Sequence, residues 1–311
     1  MASKQVTLRI QPRADTEQGK VIRSLPSETT IALQSSGADL YQRLAAEADL
    51  SVHRLRITKG SDNASVPNAK DVTIDSTGIR DQSTIFVKDL GPQIAWRTVF
   101  VVEYLGPLLI HPLLYTLRPY LYAHAPRSAS PLQTLSLLLI CLHFLKREAE
   151  TLFVHRFSLA TMPARNIVKN SAHYWIFAGA NIAYWTYAPA APTAGPSNPL
   201  VTYPALALFV LGELGNLSTH LTLRNLRSTG GSERGIPKGL GFDLVTCPNY
   251  MFETMAWVGI WMVNWSLSTG VFVVIAVAQM AVWAKKKEGK YRREFGGAYQ
   301  KKRFGMIPGL F

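Results

Sequence analysis

Four polar residues at helical spacing end one of the apolar segments of the chain. They are separated by four, four and three positions, so on one helix they share a face: Asn216, His220, Arg224 and Arg227. Arginine offers a fork of N–H donors that matches phosphate oxygens, so the pattern favours a site for a phosphorylated ligand. The alternative is a basic helix end that touches anionic lipid, but lipid contact would not require Asn216 and His220 on that face.

A second polar group opens a later apolar segment. The run 247–250 (CPNY) is followed by Glu253, four positions after Asn249, and Glu103 is an isolated acid in an earlier apolar run. Ionisable side chains at membrane depth are costly, so they are candidates for function. Either acid alone could instead belong to a hydrogen-bonded pair that joins two helices. Because both lie near the cytosolic ends of their predicted helices, we favour a shared pocket.

A third charged group, 146–150 (KREAE), precedes the run 151–157 (TLFVHRF). Lys146 and Arg147 follow an apolar segment directly, where they could contact a phosphate of a cofactor. The equal alternative is a solvated helix end whose charges pair with one another. The residues alone leave both interpretations open.

These polar groups must be positioned by apolar segments, most of them close to the roughly 20 residues that a membrane-spanning helix needs. Six spans are predicted: 99–117, 132–145, 172–189, 200–217, 244–265 and 267–284. The loops 146–171 and 218–243 and the segment after 284 are rich in Lys and Arg, whereas the loop 190–199 has neither. The positive-inside rule then predicts an even number of spans with both termini in the cytosol.

The composition argues against several other classes of protein. The net charge of +13 falls almost entirely after residue 95, between the apolar segments, which is typical of a membrane protein and argues against nucleic-acid binding. The two isolated cysteines, Cys141 and Cys247, predict neither a disulfide framework nor a metal site. The first fifteen residues lack the apolar core of a signal peptide, so we expect the first domain to stay in the cytosol.

Residues 1–90 are predicted to form a small cytosolic α+β domain. Apolar and polar residues alternate at 6–10 and 54–58, and 83–88 is a short apolar run with β-branched residues. The helix is expected to begin at the N-cap Asp39. In chain order the predicted elements are a strand at 6–10, a strand at 20–25, a helix at 39–48, a strand at 54–58 and a strand at 83–88. This order fits a ubiquitin-like (β-grasp) fold, and another small α+β fold is the equal alternative.

Several of these runs resemble the steroid 5α-reductase superfamily, and most closely its very-long-chain trans-2-enoyl-CoA reductases. The matching runs are 89–91 (DLG), 103–107 (EYLGP), 150–157 (ETLFVHRF), 161–163 (TMP), 215–216 (GN) and 247–250 (CPNY). The resemblance covers essentially the whole chain. It implies an α-helical membrane bundle of about six transmembrane helices at 91–311, preceded by the ubiquitin-like domain at 1–90, in the endoplasmic reticulum membrane.

The resemblance also implies a reaction and a set of site residues. NADPH would reduce the C2=C3 double bond of a long-chain enoyl-CoA, the last step of each fatty-acid elongation cycle, beside the other elongation enzymes. Tyr250 is then the candidate proton donor, and Glu103 the candidate at the thioester carbonyl. The candidate NADPH residues are Lys146, Arg147, Asn216, His220, Arg224, Arg227, Asn249, Glu253 and Tyr291.

One departure from the superfamily pattern affects that site. Many members have Tyr after the histidine of the second span, whereas this chain has His143 followed by Phe144. Without that hydroxyl, a pair of hydrogen-bond donors at the thioester carbonyl is not expected, and Tyr250 becomes the main candidate for acid catalysis. The competing functions are a steroid-type enone reductase, a membrane methyltransferase that uses S-adenosylmethionine, and a non-catalytic adaptor that displays the ubiquitin-like domain.

Overall fold

The computed structural model describes residues 4–13, 22, 24–157, 160–226, 235–299 and 304–310. These residues form two compact units and are mostly helical. The first unit takes the described residues of 1–95 and 159–166, and the second takes those of 96–158 and 167–311. The described candidate site residues all belong to the second unit.

The first unit is built on a four-stranded mixed sheet and one helix. In chain order the elements are β1 (Gln5–Pro12), β2 (Glu28–Ala32), α1 (Gly37–Glu47), β3 (Leu55–Lys59) and β4 (Thr84–Asp89). The strand order is β2-β1-β4-β3, with β1 parallel to β4 and the outer pairs antiparallel. Alternate side chains of β1, such as Val6 and Leu8, pack in one core with Leu40 and Leu44 of α1.

The predicted position of the second strand is wrong. The strand is Glu28–Ala32, whereas the described residues of 20–25 are not in a strand. Pro26 follows the predicted segment directly and has no N–H group to donate to a sheet. The β-branched residues 29–31 suit a half-buried strand better, and they pair with β1.

The predicted cap of α1 is also wrong. The N-cap is Ser36, whose hydroxyl accepts a hydrogen bond from the Asp39 backbone N–H at 3.1 Å. The Asp39 carboxylate accepts a bond from the Ser36 backbone N–H at 2.8 Å. Asp39 is therefore the acidic partner in a capping box and not the cap itself.

A short ladder and two 3₁₀ turns complete the first unit. The strand β5 (Gln93–Ala95) pairs antiparallel with β6 (Thr161–Pro163), so that Ile94 lies opposite Met162. The 3₁₀ turns are Val52–Arg54 and Asp75–Thr77. No described candidate site residue lies on these elements.

The second unit consists of helices. They are α2 (Trp96–Thr116), α3 (Arg118–Leu121), α4 (Pro131–Ala149), α5 (Asn166–Ala172), α6 (Ile182–Thr186), α7 (Pro199–Asn225), α8 (Pro248–Asn264) and α9 (Leu267–Phe295). Two π-helical segments continue the helical path, Glu150–Val154 after α4 and His173–Asn181 before α6. The 3₁₀ turns are Pro192–Ala194 and Gly296–Ala298.

Three of the described helices are long and apolar enough to cross a membrane. They are α2, α7, and α9 with the turn that follows it, Leu267–Ala298. The predicted spans 132–145 and 244–265 fall on α4 and α8, and the span 172–189 falls largely on the second π-helical segment and α6. The helices therefore indicate a membrane protein, and the number of six spans stays a prediction.

Glycines bring α7 and α8 close together. A Cβ atom on Gly212 of α7 would lie 2.5 Å from the Ala256 backbone nitrogen, and one on Gly259 of α8 would lie 2.7 Å from the Ala205 carbonyl oxygen. Only residues without a side chain allow backbones to approach so closely. This contact places Asn216, one turn after Gly212, against the first turns of α8.

Candidate active site

The end of α4 carries a carboxylate between two cations. The π-helical turn begins at Glu150, three positions after Arg147, and such turns are frequent at functional sites. Lys146 Nζ lies 3.1 Å from Glu150 Oε1, and an Arg147 guanidinium nitrogen lies 2.7 Å from Oε2. The other terminal nitrogen of Arg147 donates to the Tyr104 hydroxyl of α2 at 2.9 Å. Glu150 therefore ties α4 to its own basic residues, and Arg147 extends the group to α2.

Glu150 also connects α4 to the end of α7. Its Oε1 lies 3.1 Å from Nδ1 of His220, whose ring meets that of His155 edge to face with centroids 4.8 Å apart. Burial raises the pKa of Glu150, but the His220 hydrogen bond and the charges of Arg147 and Lys146 outweigh it and lower the pKa to about 2. Burial and the Arg147 charge lower the pKa of His155 to about 3. At neutral pH Glu150 is therefore an anion and His155 is neutral.

His143 of α4 lies between two further acids. Its Nδ1 is 2.6 Å from Glu213 Oε1 on α7, and its Nε2 is 3.3 Å from Glu253 Oε1 on α8. Lys146 Nζ lies 3.2 Å from the second oxygen of Glu213. The His143 ring is buried, 2% exposed, so these acids are its neighbours in place of water. One imidazole thus holds carboxylates from two helices in fixed positions.

Asn216 joins the same group through both ends of its amide. Its Nδ2 donates to the Asn249 carbonyl oxygen at 2.9 Å and to Glu253 Oε2 at 3.1 Å, and its Oδ1 accepts from Lys146 Nζ. The nitrogen and the oxygen of the amide are therefore both hydrogen-bonded within the protein. We call the connected residues the charged network: His143, Lys146, Arg147, Glu150, Glu213, Asn216, His220 and Glu253.

A cavity of about 270 Å³ adjoins the charged network at His220. Its lining combines cations with aromatic rings: Phe100, His155, Arg156, Phe157, His220, Leu223, Arg224, Leu226, Gly235, Lys287 and Tyr291. Phe100 and Phe157 stack with ring centroids 5.6 Å apart, and Lys287 Nζ lies 5.2 Å from the Tyr291 ring centroid. This basic cavity suits a ligand that carries both an aromatic ring and phosphate groups.

Spacing alone would also allow a metal ion beside this cavity. The ligand atoms of Glu150, His155 and His220 lie within 4.8 Å of one another. However, Lys146 and Arg147 already supply two positive charges to Glu150. A bound cation would be repelled by both, so the site favours an anionic ligand over a metal.

Tyr250 lies in the first turn of α8, between Asn249 and Glu253. It is half-buried and packs against a buried cluster that includes Met280 and Ala284 of α9, and its ring centroid is 6.3 Å from that of Trp283. Within the described part of the chain, its hydroxyl makes no hydrogen bond. The phenol is therefore adjacent to the network in sequence, yet its proton is not engaged by it.

Glu103 lies on α2 next to Tyr104. It is buried, 2% exposed, and its Oε1 has no hydrogen-bond partner among the described residues. Asn170 approaches its carboxyl group. Tyr104 reaches the charged network through Arg147, but none of the described contacts joins Glu103 to Tyr250.

Comparison with other proteins identifies the family. Residues 160–311 match the family described as 3-oxo-5-alpha-steroid 4-dehydrogenase. A very-long-chain enoyl-CoA reductase of Dictyostelium discoideum is 38% identical over 293 residues, covering 92% of this chain and 94% of the relative. The chain belongs to the enoyl-CoA reductases of the steroid 5α-reductase superfamily.

Two further relatives have the same kind of name. A Schizosaccharomyces pombe protein named as an enoyl reductase is 42% identical over 296 residues, covering 94% of this chain and 97% of the relative. The trans-2,3-enoyl-CoA reductase-like protein of Homo sapiens is 34% identical over 251 residues, covering 78% of this chain and 68% of the relative. Family membership therefore does not rest on one match.

Within this reductase, the structure places most candidate cofactor residues in one region. Lys146, Arg147, Asn216, His220 and Glu253 belong to the charged network, and Asn249 joins it through its carbonyl oxygen. Arg224 and Tyr291 line the basic cavity. Arg227 lies outside the described residues. The candidates for the chemistry, Glu103 and Tyr250, lie on α2 and α8, and no described contact joins them.

Three members of the charged network were not predicted from the sequence: His143, Glu213 and Glu150. Glu213 stands three positions before Asn216 in a predicted span, so its isolated charge and its one-turn spacing were both available signals. Glu150 lies four positions after Lys146, the spacing of an ion pair on a helix. The role of His143 depends on two other helices, and nothing in its neighbouring residues indicates it.

Proposed function

We propose that this reductase uses NADPH to reduce the C2=C3 double bond of very-long-chain trans-2-enoyl-CoA, the last step of each fatty-acid elongation cycle. The relatives carry the names of enoyl-CoA reductases. The observation that carries the proposal is the basic cavity beside the buried charged network. Tyr250 lies on α8, a helix that contributes to the same network. A phosphate-bearing reductant and a proton donor are the two parts that this reaction needs.

The lining of the basic cavity fits part of a dinucleotide. Arg156, Arg224 and Lys287 supply positive charge for phosphate oxygens, and Tyr291 presents an aromatic ring. About 270 Å³ is less than a whole dinucleotide fills, so the remainder would extend beyond the basic cavity, beside the charged network. Arg227, just beyond α7, is the further candidate for phosphate contact. When bound, NADPH supplies the hydride that goes to C3.

The protein supplies the proton and stabilises the charge on the substrate. Tyr250 is the donor to C2, because its half-buried hydroxyl is not held by another described group. Glu103, with an oxygen that lacks a partner among the described residues, donates a hydrogen bond to the thioester carbonyl in its protonated form. Phe144 has no hydroxyl to add, and its buried ring packs against Tyr104 with centroids 6.1 Å apart. Tyr250 therefore carries most of the acid catalysis.

The organisation of the chain is part of the proposal. The sheet order β2-β1-β4-β3, with one helix between β2 and β3, supports a ubiquitin-like domain at 1–90. We propose that 91–311 forms a bundle of about six spans in the endoplasmic reticulum membrane, with both termini in the cytosol. The charged network then lies at the cytosolic side, where NADPH and enoyl-CoA are dissolved, and other elongation enzymes act beside it.

The test is an assay of the purified protein with NADPH or NADH and three substrates. We expect NADPH oxidation with a long-chain trans-2-enoyl-CoA and no oxidation with the saturated acyl-CoA. Turnover of a steroid enone alone would contradict the proposal in favour of the steroid-type reaction. Thermal stabilisation by S-adenosylmethionine but not by NADPH would contradict it in favour of a methyltransferase. Unaltered complementation of cells by Tyr250→Phe would favour an adaptor.

A further inference from the structure

The last helix continues well past its apolar part. α9 has 29 residues, about 44 Å at 1.5 Å per residue, whereas roughly 20 residues span a bilayer. Its final turns carry cations on two sides. One side, with Lys287 and Tyr291, lines the basic cavity. The neighbouring side is exposed, and its cations do not line that cavity.

The exposed cations form a stripe that begins beside Tyr250. Trp283, Lys286, Lys290 and Arg293 are three, four and three positions apart, so they follow one another along one side of the helix. Trp283, which contacts the Tyr250 ring, is 50% exposed. The stripe therefore leads from the proposed proton donor to the solvent-exposed end of the helix.

The three cations of the stripe are not neutralised within the described part of the chain. Lys286, Lys290 and Arg293 are exposed and have no described ion pair or hydrogen bond, whereas the neighbouring Arg292 pairs with Glu288 at 2.6 Å. A row of unpaired cations on one rigid helix attracts a ligand with several negative charges. Trp283 at its start favours a ligand whose less polar part lies nearer to Tyr250.

We propose that Lys286, Lys290 and Arg293 bind the phosphates of the CoA portion of the substrate. This inference rests on the proposed function. The thioester must reach Tyr250, and CoA carries its phosphate groups at the end remote from the thioester. The stripe has the same arrangement, with Tyr250 and Trp283 at one end and the cations in the following turns. The two phosphate-bearing ligands thus approach α9 from different sides.

The test compares two thioesters of the same long-chain trans-2-enoyl group, one with CoA and one with N-acetylcysteamine, which has no phosphate. In the triple variant Lys286→Glu, Lys290→Glu, Arg293→Glu, we expect the KM for the CoA thioester to rise about ten- to hundredfold. The KM for NADPH and the turnover of the N-acetylcysteamine thioester should not change. Should that variant fail to fold, the neutral triple variant with Gln at the three positions is expected to show the same selectivity with a smaller rise.

The matched control is Lys285→Glu, because Lys285 is equally exposed but lies about 100° around the helix from Lys286. We expect it to keep the wild-type KM for both thioesters. If Lys285→Glu is as harmful as the stripe variants, or if both thioesters are affected equally, the stripe binds membrane lipid and the inference is wrong. If the wild type reduces neither thioester, the proposed function itself fails, and the inference with it.

Discussion

Each end of the helix pair α2 and α4 has an arginine within the protein, Arg118 at one end and Arg147 at the other. The two arginines differ in the groups that accept their hydrogen bonds. At one end, Arg118 donates to the Tyr115 carbonyl oxygen at 3.0 Å and to Gln133 Oε1 at 2.9 Å, and it lies over the Tyr115 ring. At the other end, Arg147 and Lys146 face the carboxylate of Glu150. The first end uses neutral acceptors and the second uses formal charges.

This difference shows which features mark a binding site in such a bundle. A cavity of about 230 Å³ lies beside Arg118, close in size to the basic cavity, so a cavity does not distinguish the two ends. Among the described residues, Arg118 is the one cation that lines it, and each of its three side-chain nitrogens already donates a hydrogen bond. The basic cavity has several cations in addition to those of the network. A binding site in this bundle is therefore marked by buried ion pairs that lie beside a cavity lined by further cations.

Glu150→Ala should give the largest effect on stability. Removing this carboxylate leaves Lys146 and Arg147 without their shared anion, and an uncompensated buried charge costs about 3–5 kcal/mol. Unfolding of the detergent-solubilised protein would measure the loss. The isosteric Glu150→Gln should reduce the free energy of unfolding by less, because it retains a hydrogen bond to Arg147. A free energy of unfolding equal to that of the wild type would mean that the network does not stabilise the bundle.

Arg118→Met, at the other end, should cost less and leave binding intact. Its loss leaves Gln133 without one hydrogen bond, for a cost of about 1–3 kcal/mol. Isothermal titration should give a wild-type Kd for NADPH. A weakened Kd would break the comparison, because it would show that both ends support the cofactor.

Glu213→Gln tests whether the network positions Glu253 through His143. The variant keeps the shape of the side chain but removes the charge that faces His143 and Lys146. We expect kcat/KM to fall about tenfold, in line with a lost hydrogen bond to a charged group. Arg118→Met is the control for a general effect of destabilisation. Equal kinetics for Glu213→Gln and the wild type would restrict Glu213 to a structural role.

His155 should also contribute a pH dependence of stability. Its pKa in the folded protein, about 3, lies below the value near 6.5 in the unfolded chain, so the unfolded state binds a proton first and stability falls as the pH drops from about 6.5 towards 3. Glu150, with a pKa of about 2, adds a loss only below about pH 4.3. Melting temperatures between pH 7 and 4.5 should therefore decline less in His155→Gln than in the wild type. Identical slopes would contradict this assignment.

The sequence predicted those parts of the fold that depend on local pattern. The strands β1 and β3 show apolar alternation, whereas β4 is a short apolar run with β-branched residues. Each was expected within a few residues of its observed range. β2 was misplaced because the run 20–25 contains more large apolar residues than Glu28–Ala32 does. The choice between them depends on which segment pairs with β1, and that is a tertiary contact.

The site was predictable only where its members recur on one helix. The spacing of Asn216 and His220 on α7 indicated a polar face, and the position of Glu253 after Asn249 indicated another. The π-helical turn at Glu150 has no signature in the residues, although it turns His155 towards His220. The bridge from His143 to Glu213 and Glu253 joins three helices, so it follows from packing and not from spacing.

The most direct test of the account is single-turnover reduction of a long-chain trans-2-enoyl-CoA by enzyme saturated with NADPH, for the wild type and Tyr250→Phe. We predict that the variant slows the chemical step by about 10²–10⁴-fold, because a positioned general acid is lost. Its melting temperature and its Kd for NADPH should stay at the wild-type values. A wild-type rate in the variant would contradict the assignment of Tyr250 as the proton donor.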